Sequence, residues 1–487
     1  MERRLIDPRI DLPTIDKYWE SSVVPSLTEY IRILNLSPMF DADWASGGLM
    51  GDAVELVSQW IAAAQVPDLT LEVLQLPDRT PTLVLEHPGR FGRRPAKPTD
   101  TVLMYGHLDK QPEFTGWHEG VGPWLPVRRG DRLYGPGGAD DGYAVYSAVT
   151  ALAYLVEHQL DFPRTLVVIK CSEESGSPDL AAYMAELAPR IELARLVVAM
   201  DSTCGKYDQL WLTTWLRGLF IGDISVNVLE QGAHSGTAGG LVPSSFRILR
   251  QLLSRIEDEQ TGLIHLPELM SDIPAVREQE AGAAGRALSR DFESMFSYAG
   301  PPPAIDNPTD IVLANTWRSS LKITGVDGVP SLEKAGNTLK PSTSAKFALR
   351  LPSLVNAEDA QLSITRALCT DVPAGVAVDL SFETPASGWH APITDPLLEQ
   401  CLQDASQSHF GKPAITMSCG GSIPFMQSLS DALPDAQFLL TGVLGPLSKA
   451  HGPNEFPDLT TAKALTASMA HLLVTWAVQI ENQQQGT

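Results

Sequence analysis

A set of histidines and carboxylates lies at or beside the ends of short apolar runs in this sequence. They are His107, Asp109, Asp140, Asp141, Glu173, Glu174, Asp201 and His451. Carboxylates gathered in a small volume repel one another unless a cation or bound protons compensate them. Histidine nitrogen with carboxylate oxygen suits Zn²⁺, or Mn²⁺ and Co²⁺ where oxygen ligands dominate. Two histidines with three or more carboxylates suffice for two divalent ions, which can polarise a carbonyl and activate a bridging water.

The apolar runs before these residues are typical of buried strands. They span 101–105, 165–169, 196–200 and 437–443. Helical patterns at 143–158 and 180–187 alternate with them, which predicts an α/β fold with a mostly parallel sheet. Ligands of such sheets bind beyond the carboxyl ends of the strands. Residues far apart in the sequence could therefore meet in one cleft.

The middle of the chain has a different pattern. Segments 221–228, 345–351 and 376–382 alternate apolar and polar residues, as half-buried antiparallel strands do. Segment 244–258 has an amphipathic helical pattern between them. We therefore predict a catalytic metal-binding domain formed by 1–212 and 386–487, with an α+β domain inserted at 213–385.

Composition excludes several classes of protein. The 487 residues include 36 Lys and Arg against 58 Asp and Glu, a formal charge of −22. This balance disfavours partners such as nucleic acid or anionic membrane, which bind through basic residues. The first residues lack the apolar stretch of a secretory signal, and no run of 18 apolar residues predicts a membrane span. The five scattered cysteines argue against a disulfide framework, so we expect a cytoplasmic protein.

Each candidate element also fits a plain structural role. A histidine can be an ordinary hydrogen-bonded residue, paired aspartates an Asx turn, and paired glutamates a helix cap. Their shared placement at strand ends argues against coincidence.

The sequence resembles a known family through a series of motifs. These are GHLDKQPE, LYGPGGADDG, EESGS, the Asp of VVAMDS, the HSG of GAHSGTAGG, GGSIP and HGPNE. It is similar to the dinuclear zinc metallopeptidases that include carnosinase, cytosolic non-specific dipeptidase, aminoacylase, succinyl-diaminopimelate desuccinylase and glutamate carboxypeptidase. The motifs are closest to those of the dipeptidases. The resemblance implies a homodimer with two metal ions per subunit, and a ferredoxin-like lid and dimerisation domain as the insert.

The resemblance also implies a role for each matching residue of the metal domain. Asp140 bridges the two metals, and its peptide bond to Asp141 is cis. The other metal ligands are His107 and Asp201 for one ion, and Glu174 and His451 for the other. Glu173 is the general base, and Asp109 orients His107.

Further residues are implied to contact the substrate. His234 of the insert reaches the active site of the partner subunit, where it stabilises the developing oxyanion. The implied substrate-binding residues are Arg350, which binds a carboxylate, with Asn337, Gly421 and Ser422.

Two positions depart from the dipeptidase pattern. Gly142 follows the paired aspartates where Lys is usual, and Ser418-Cys419 precedes GGSIP where Arg-Glu is usual. All implied ligands and the base are nevertheless present, which disfavours a non-catalytic relative. We predict a metal-dependent exopeptidase that acts on small peptides with a free carboxylate. The alternative is an N-acyl-amino-acid deacylase with the same metal site.

Overall fold

The computed structural model describes residues 10–92, 97–292, 298–301, 306–386, 388–421 and 423–485. Its strands are β1 (Thr70–Leu74), β2 (Thr82–His87), β3 (Val102–His107), β4 (Val127–Arg129), β5 (Arg132–Tyr134), β6 (Thr165–Lys170), β7 (Leu196–Ala199), β8 (Trp211–Leu216), β9 (Gly218–Asn227), β10 (Ala233–His234), β11 (Ser320–Asp327), β12 (Thr338–Leu339), β13 (Ser342–Leu351), β14 (Ala377–Phe382), β15 (Trp389–His390), β16 (Ile415–Cys419) and β17 (Gln437–Leu440).

The α-helices lie between these strands and at both ends of the described chain. They are α1 (Leu12–Tyr18), α2 (Val24–Arg32), α3 (Trp44–Gly47), α4 (Leu49–Ala64), α5 (Tyr143–Glu157), α6 (Leu180–Ile191), α7 (Ser235–Ala238), α8 (Ser245–Leu253), α9 (Ala275–Leu288), α10 (Pro308–Thr316), α11 (Ala357–Cys369), α12 (Pro396–Phe410), α13 (Pro424–Ala432) and α14 (Leu459–Gln485).

A large sheet forms the centre of the protein. Within the described residues it has nine strands in the order β1-β2-β6-β3-β7-β17-β8-β15, with β16 also paired to β8. The central strands β6, β3, β7 and β17 are parallel, whereas β1 and β2 pair antiparallel to their neighbours. Strand β8 pairs antiparallel with β17 and β15 and parallel with β16. The predicted α/β fold with a largely parallel sheet is confirmed.

Alternate residues of the central strands face opposite layers of helices. Val102 and Met104 of β3 pack in a core with α2, α5 and α14, whereas Leu103 and Tyr105 pack with α6 and α13. Every residue of β3 is buried. This burial on both faces explains why the strand is a continuous apolar run, as parallel strands generally are.

A smaller antiparallel sheet has the order β11-β13-β9-β14. Strand β9 alternates strictly between buried and partly buried residues, because one face packs on α8 and α11. The chain passes from the large sheet to the small one between Leu216 and Gly218. It returns at Trp389, which pairs with Leu216. The domain limits 213 and 385 stay a prediction.

Helices α9 and α10 lie between these two crossings in sequence but pack against the large sheet. Trp215 of β8 donates its indole N–H to the carbonyl of Thr316 at 2.9 Å and lies edge-on to Trp317. Buried Arg277 of α9 donates to His390 and to the carbonyl of Ala391, next to strand β15. The segment between the two crossings therefore forms the small sheet and also supplies two helices that pack on the large sheet.

No helix in the part of the chain that the structure describes combines the length and the apolar character needed to cross a bilayer.

Helix α5 begins at a close crossing with α2. A Cβ on Gly142 would lie 2.6 Å from the carbonyl oxygen of Gly137 and 2.9 Å from Cδ1 of Tyr30. Real Cβ atoms do not approach so closely, so a side chain at this position displaces either the turn or α2. This contact explains why the chain has glycine where the dipeptidase pattern has lysine.

We predict that Gly142→Ala lowers the free energy of unfolding by about 1–3 kcal/mol, the usual cost of overpacking a rigid core. Denaturant unfolding followed by circular dichroism measures the change. The matched control is Gly51→Ala in α4, where a Cβ meets no atom within 4 Å. There alanine is expected to stabilise the helix by about 0.5–1 kcal/mol. Equal stability of the two variants would contradict the crossing argument.

Candidate dinuclear metal site

The structure brings the five residues predicted as metal ligands to one edge of the large sheet. His107 is the last residue of β3. Glu174 lies in a short 3₁₀ turn that begins three residues after the end of β6. Asp201 lies two residues after β7, and because Tyr105 pairs with Ala199, it comes level with His107. His451 lies in the loop after β17, and Asp140 in the turn before α5.

Asp140 connects two groups of atoms that could bind metal ions. Its Oδ1 lies 3.3 Å from Nε2 of His107, and its Oδ2 lies 3.3 Å from Nε2 of His451. Asp201 completes the first group at 3.9 Å from His107 Nε2, and Glu174 the second at 2.9 Å from His451 Nε2. Within each group the donor atoms lie within 4.8 Å of one another. The peptide bond between Asp140 and Asp141 is cis, as the resemblance implies.

His107 is oriented by Asp109. Its Nδ1 lies 3.1 Å from the carbonyl oxygen of Asp109 and 3.5 Å from the carboxylate Oδ1. A proton on Nδ1 satisfies these acceptors, so Nε2 is the nitrogen that faces Asp140 and Asp201. Carboxylates and carbonyls commonly fix metal-binding histidines in this way.

The carboxylate of Asp109 also fixes the turn that carries Glu173 and Glu174. Its Oδ1 accepts the backbone N–H of Glu173 at 3.0 Å, and its Oδ2 accepts that of Glu174 at 2.9 Å. Asp109 is fully buried, whereas Glu173 is partly exposed. One side chain therefore links the end of β3 to the end of β6.

The carboxylates of the site are electrostatically strained by one another. Burial raises the pKa of Asp201 to about 7, and the neighbouring carboxylates of Asp140 and Glu174 add to this shift. Burial and the charge of Asp201 raise the pKa of Glu173 well above its usual range. The pKa of Asp140 is lowered instead, because its hydrogen bonds to His107 and His451 outweigh the effect of its burial. A cation between these groups would stabilise their charged forms.

The donor set fits two divalent ions. Each group offers one imidazole nitrogen and two carboxylate oxygens, and a shared carboxylate is what two adjacent ions require. The first group is buried, and the second is open at His451, whose ring is about half exposed. A site that is closed on one side and open on the other can admit a substrate.

The sequence profile of peptidase family M20/M25/M40 matches residues 103–475, which include all the residues of both groups. The chain belongs to this family. It is a hydrolase of peptide bonds with a dinuclear metal site, and the predicted family is confirmed.

Relatives of this peptidase are dipeptidases. The cysteinylglycine-S-conjugate dipeptidase of Corynebacterium striatum is 26% identical over 432 residues, covering 87% of this chain and 90% of that protein. The Cys-Gly metallodipeptidase DUG1 of Saccharomyces cerevisiae is 25% identical over 484 residues, covering 94% and 95%. Human carnosine dipeptidase 1 shares the fold with a TM-score of 0.73 at 20% identity, over 96% of this chain and 98% of that one. These matches place the peptidase in the dipeptidase branch of the family.

The residues implied to contact substrate lie on other elements. His234 in β10 pairs with Thr338 in β12, and Ser235 donates its N–H to the carbonyl of Asn337 at 2.9 Å. His234 is exposed and accepts a hydrogen bond from Gly236, and its described bonds do not reach the metal ligands. His234 and Asn337 are thus neighbours, at a surface of the inserted segment.

The other predicted substrate-binding residues are Arg350 and those of the GGSIP loop. Arg350 lies in β13, opposite Ser320 of β11. Gly421 follows β16, and its carbonyl accepts the N–H of Arg217 at 3.1 Å. Ser422 lies outside the described residues. The helix after this loop places Phe425 in a stack on Tyr105, two residues before His107.

Sequence reasoning gave no role to two residues that support the metal ligands. The Oε1 of buried Glu455 accepts the N–H groups of Ala139 and Asp140 at 3.1 and 3.2 Å, and so holds the turn of the shared carboxylate. Gln111 donates to Glu174 Oε2 at 2.8 Å. Glu455 belongs to the HGPNE motif and Gln111 to GHLDKQPE, so both motifs contained the signal.

We predict that Asp140→Ala and His451→Ala differ in metal content. Asp140 supplies an oxygen to both groups, so its loss should remove both ions. His451 serves only one group, so its loss should leave about one ion per chain. Inductively coupled plasma mass spectrometry after gel filtration measures the content. Equal metal content in the two variants would show that Asp140 does not bridge the groups.

Proposed function

We propose that this peptidase is a dipeptidase that releases the C-terminal residue of small peptides with a free carboxylate. The observation that carries the proposal is the pair of candidate metal-binding groups that share Asp140. Glu173 lies beside them, in the same turn as Glu174. The dipeptidase relatives, matched over most of their length, support the substrate class. They also disfavour the alternative, deacylation of N-acyl amino acids.

His107, Asp201 and Asp140 would hold one ion, and Asp140, Glu174 and His451 the other. When bound, the two ions polarise the substrate carbonyl and lower the pKa of a water molecule. Zn²⁺ is our assignment, because imidazole and carboxylate in groups of three are its usual ligands. Mn²⁺ and Co²⁺ accept the same donors and are the alternatives.

Glu173 is our proposed general base. Its backbone is fixed by Asp109, and the charge of Asp201 acts on its carboxylate, so the carboxylate lies near the proposed ligands. There it would take a proton from the attacking water and give it to the leaving amine. Asp109 would act through His107 and this turn, without contacting the substrate.

The proposed contacts with the substrate involve residues outside the two metal-binding groups. Arg350 would bind the carboxylate, since a guanidinium matches its two oxygens. Asn337, Gly421 and Ser422 would contact the peptide. His234 of the partner subunit would stabilise the developing negative charge on the carbonyl oxygen.

We propose a cytoplasmic location as well. All five cysteines are free, as expected of a protein in a reducing compartment.

The substrate class is tested with dipeptides and the matching N-acetyl amino acids, using enzyme loaded with Zn²⁺ or Mn²⁺. We expect faster hydrolysis of the dipeptides. Glu173→Gln should lower kcat by about 10²–10⁴-fold while metal content is unchanged, because only the proton transfer is lost. Preference for the N-acetyl substrates would overturn the dipeptidase assignment. Full activity of Glu173→Gln would overturn the role of the base.

The proposed homodimer is tested by mixing two inactive variants. Glu173→Gln lacks the base, and His234→Ala lacks the residue donated to the other subunit. A mixed dimer has one site with both groups intact, so equal mixing after dissociation should restore about a quarter of wild-type activity. Mixing Glu173→Gln with Glu173→Gln/His234→Ala is the matched control and should stay inactive. No recovery in the first mixture would show that His234 does not act across the subunit interface.

A further inference from the structure

Lys170 is a buried lysine at the end of β6, beside the candidate metal site. None of its surface is exposed, and its ammonium nitrogen has no hydrogen-bond partner among the described residues. It is the strand partner of His107, and it lies three residues before Glu173. Lysine is almost never fully buried without a partner, because removing an unpaired charge from water is costly. An unpaired lysine at this position therefore indicates a function that outweighs its cost.

The hydroxyl of Tyr105 is a second buried donor without a partner in the part of the chain that the structure describes. Tyr105 pairs with Val168, and Lys170 follows Val168 by two residues, so both side chains face the same side of the sheet. Helices α6 and α13 cover that side, and the ring of Phe425 stacks on the ring of Tyr105. Two buried donors are thus neighbours on one face of the sheet, next to the turn that carries Glu173.

Three carboxylates lie near enough to act on Lys170. Burial lowers the pKa of Lys170 to about 8, and the charges of Asp109, Glu173 and Asp179 oppose this shift. Asp109 accepts backbone N–H groups of the turn, and Asp179 accepts hydrogen bonds from the segment before β2. Within the described residues, the carboxylate of Glu173 has no such bond. Of the three, it is therefore the acceptor left for Lys170.

The charge of Glu173 also acts on Tyr105. Burial raises the pKa of Tyr105 well above its usual range, and among the neighbouring charges that of Glu173 contributes most. Glu173 is partly exposed, whereas Lys170 and Tyr105 are fully buried. A carboxylate has two oxygens that can accept hydrogen bonds. One oxygen of Glu173 can therefore bind the buried donors while the other faces the open cleft.

We propose that Lys170 is a positioning residue, which together with Tyr105 binds one oxygen of the Glu173 carboxylate and so directs the other at the attacking water. A base that is held in its reacting orientation transfers protons faster than a base that must first adopt it. Lys170 and Tyr105 act through Glu173 and need not contact the substrate. This inference rests on the proposed function, in which Glu173 is the general base.

The test compares Lys170→Met and Tyr105→Phe with the wild-type enzyme, loaded with Zn²⁺ and assayed on Ala-Gly. Each variant should lower kcat by about tenfold, the effect of one hydrogen bond to a charged group, with KM and metal content within about twofold of wild type. Lys170→Met should also raise the midpoint of thermal unfolding, because it removes a buried charge that has no partner. A merely structural lysine would instead lower this midpoint when it is lost.

Lys463→Met in α14 and Tyr183→Phe in α6 are the matched controls. Lys463 is also buried, but it pairs with Asp16 and Glu20 at 2.5 and 2.6 Å. Tyr183 is as buried as Tyr105, but its hydroxyl donates to the carbonyl of Thr80 at 2.5 Å. Both controls should lower the midpoint of unfolding and leave kcat unchanged, which separates lost structural bonds from lost positioning.

The link to Glu173 is tested by combining variants. If Lys170 acts through Glu173, adding Lys170→Met to Glu173→Gln should change the residual kcat by less than about twofold. A further loss of about tenfold in the double variant would show that Lys170 acts elsewhere, and it would overturn the inference.

The possible failures are distinguishable. No hydrolysis of dipeptides by the wild-type enzyme would refute the proposed function. Hydrolysis with wild-type kcat in Lys170→Met would overturn the inference alone. If Lys170→Met does not fold, Tyr105→Phe decides, and wild-type kcat in that variant has the same consequence.

Discussion

The parallel alignment of β6, β3 and β7 is the constraint on which the site depends. Parallel strands end at the same edge of a sheet, and here each is followed by a carboxylate or a histidine. The backbone register therefore forces like charges together before any ligand binds. Burial and repulsion between the carboxylates both disfavour their charged forms, and the pKa of Asp201 is raised mainly by burial and further by its neighbours. Two divalent ions would remove this cost, as would protons bound to the carboxylates.

Backbone N–H groups of the chain offset part of the cost of burying these carboxylates. Backbone N–H groups of the Glu173-Glu174 turn point at Asp109, and those of Ala139 and Asp140 point at Glu455. Each bond satisfies a buried carboxylate that is not itself a metal ligand. These supporting carboxylates fix the position of the ligands, so that the ions do not have to order them. Rigid support of this kind raises metal affinity, because less conformational entropy is lost on binding.

The sequence alone predicts the sheet and the ligand cluster, because both follow from local signals. Buried parallel strands are continuous apolar runs, and the chemistry-bearing residues lie at or shortly after their ends, as His107 does at the end of β3. Other features depend on contacts between distant segments. The glycine at 142 is required by the ring of Tyr30, and α9 and α10 pack on Trp215 and its neighbours although they lie within the predicted insert. No local pattern encodes such contacts.

Arg217 shows how the substrate side differs from the metal side. The metal ligands collect at one edge of one sheet, whereas Arg217 joins the end of β8, the start of the small sheet and the loop after β16. A substrate carboxylate bound by Arg350, as proposed above, would lie next to this crossing, since Arg350 pairs with Ser320, which accepts a hydrogen bond from Arg217. Recognition and hydrolysis are thus assigned to separate elements, and the replacement of Arg-Glu by Ser418-Cys419 can alter the first without disturbing the second.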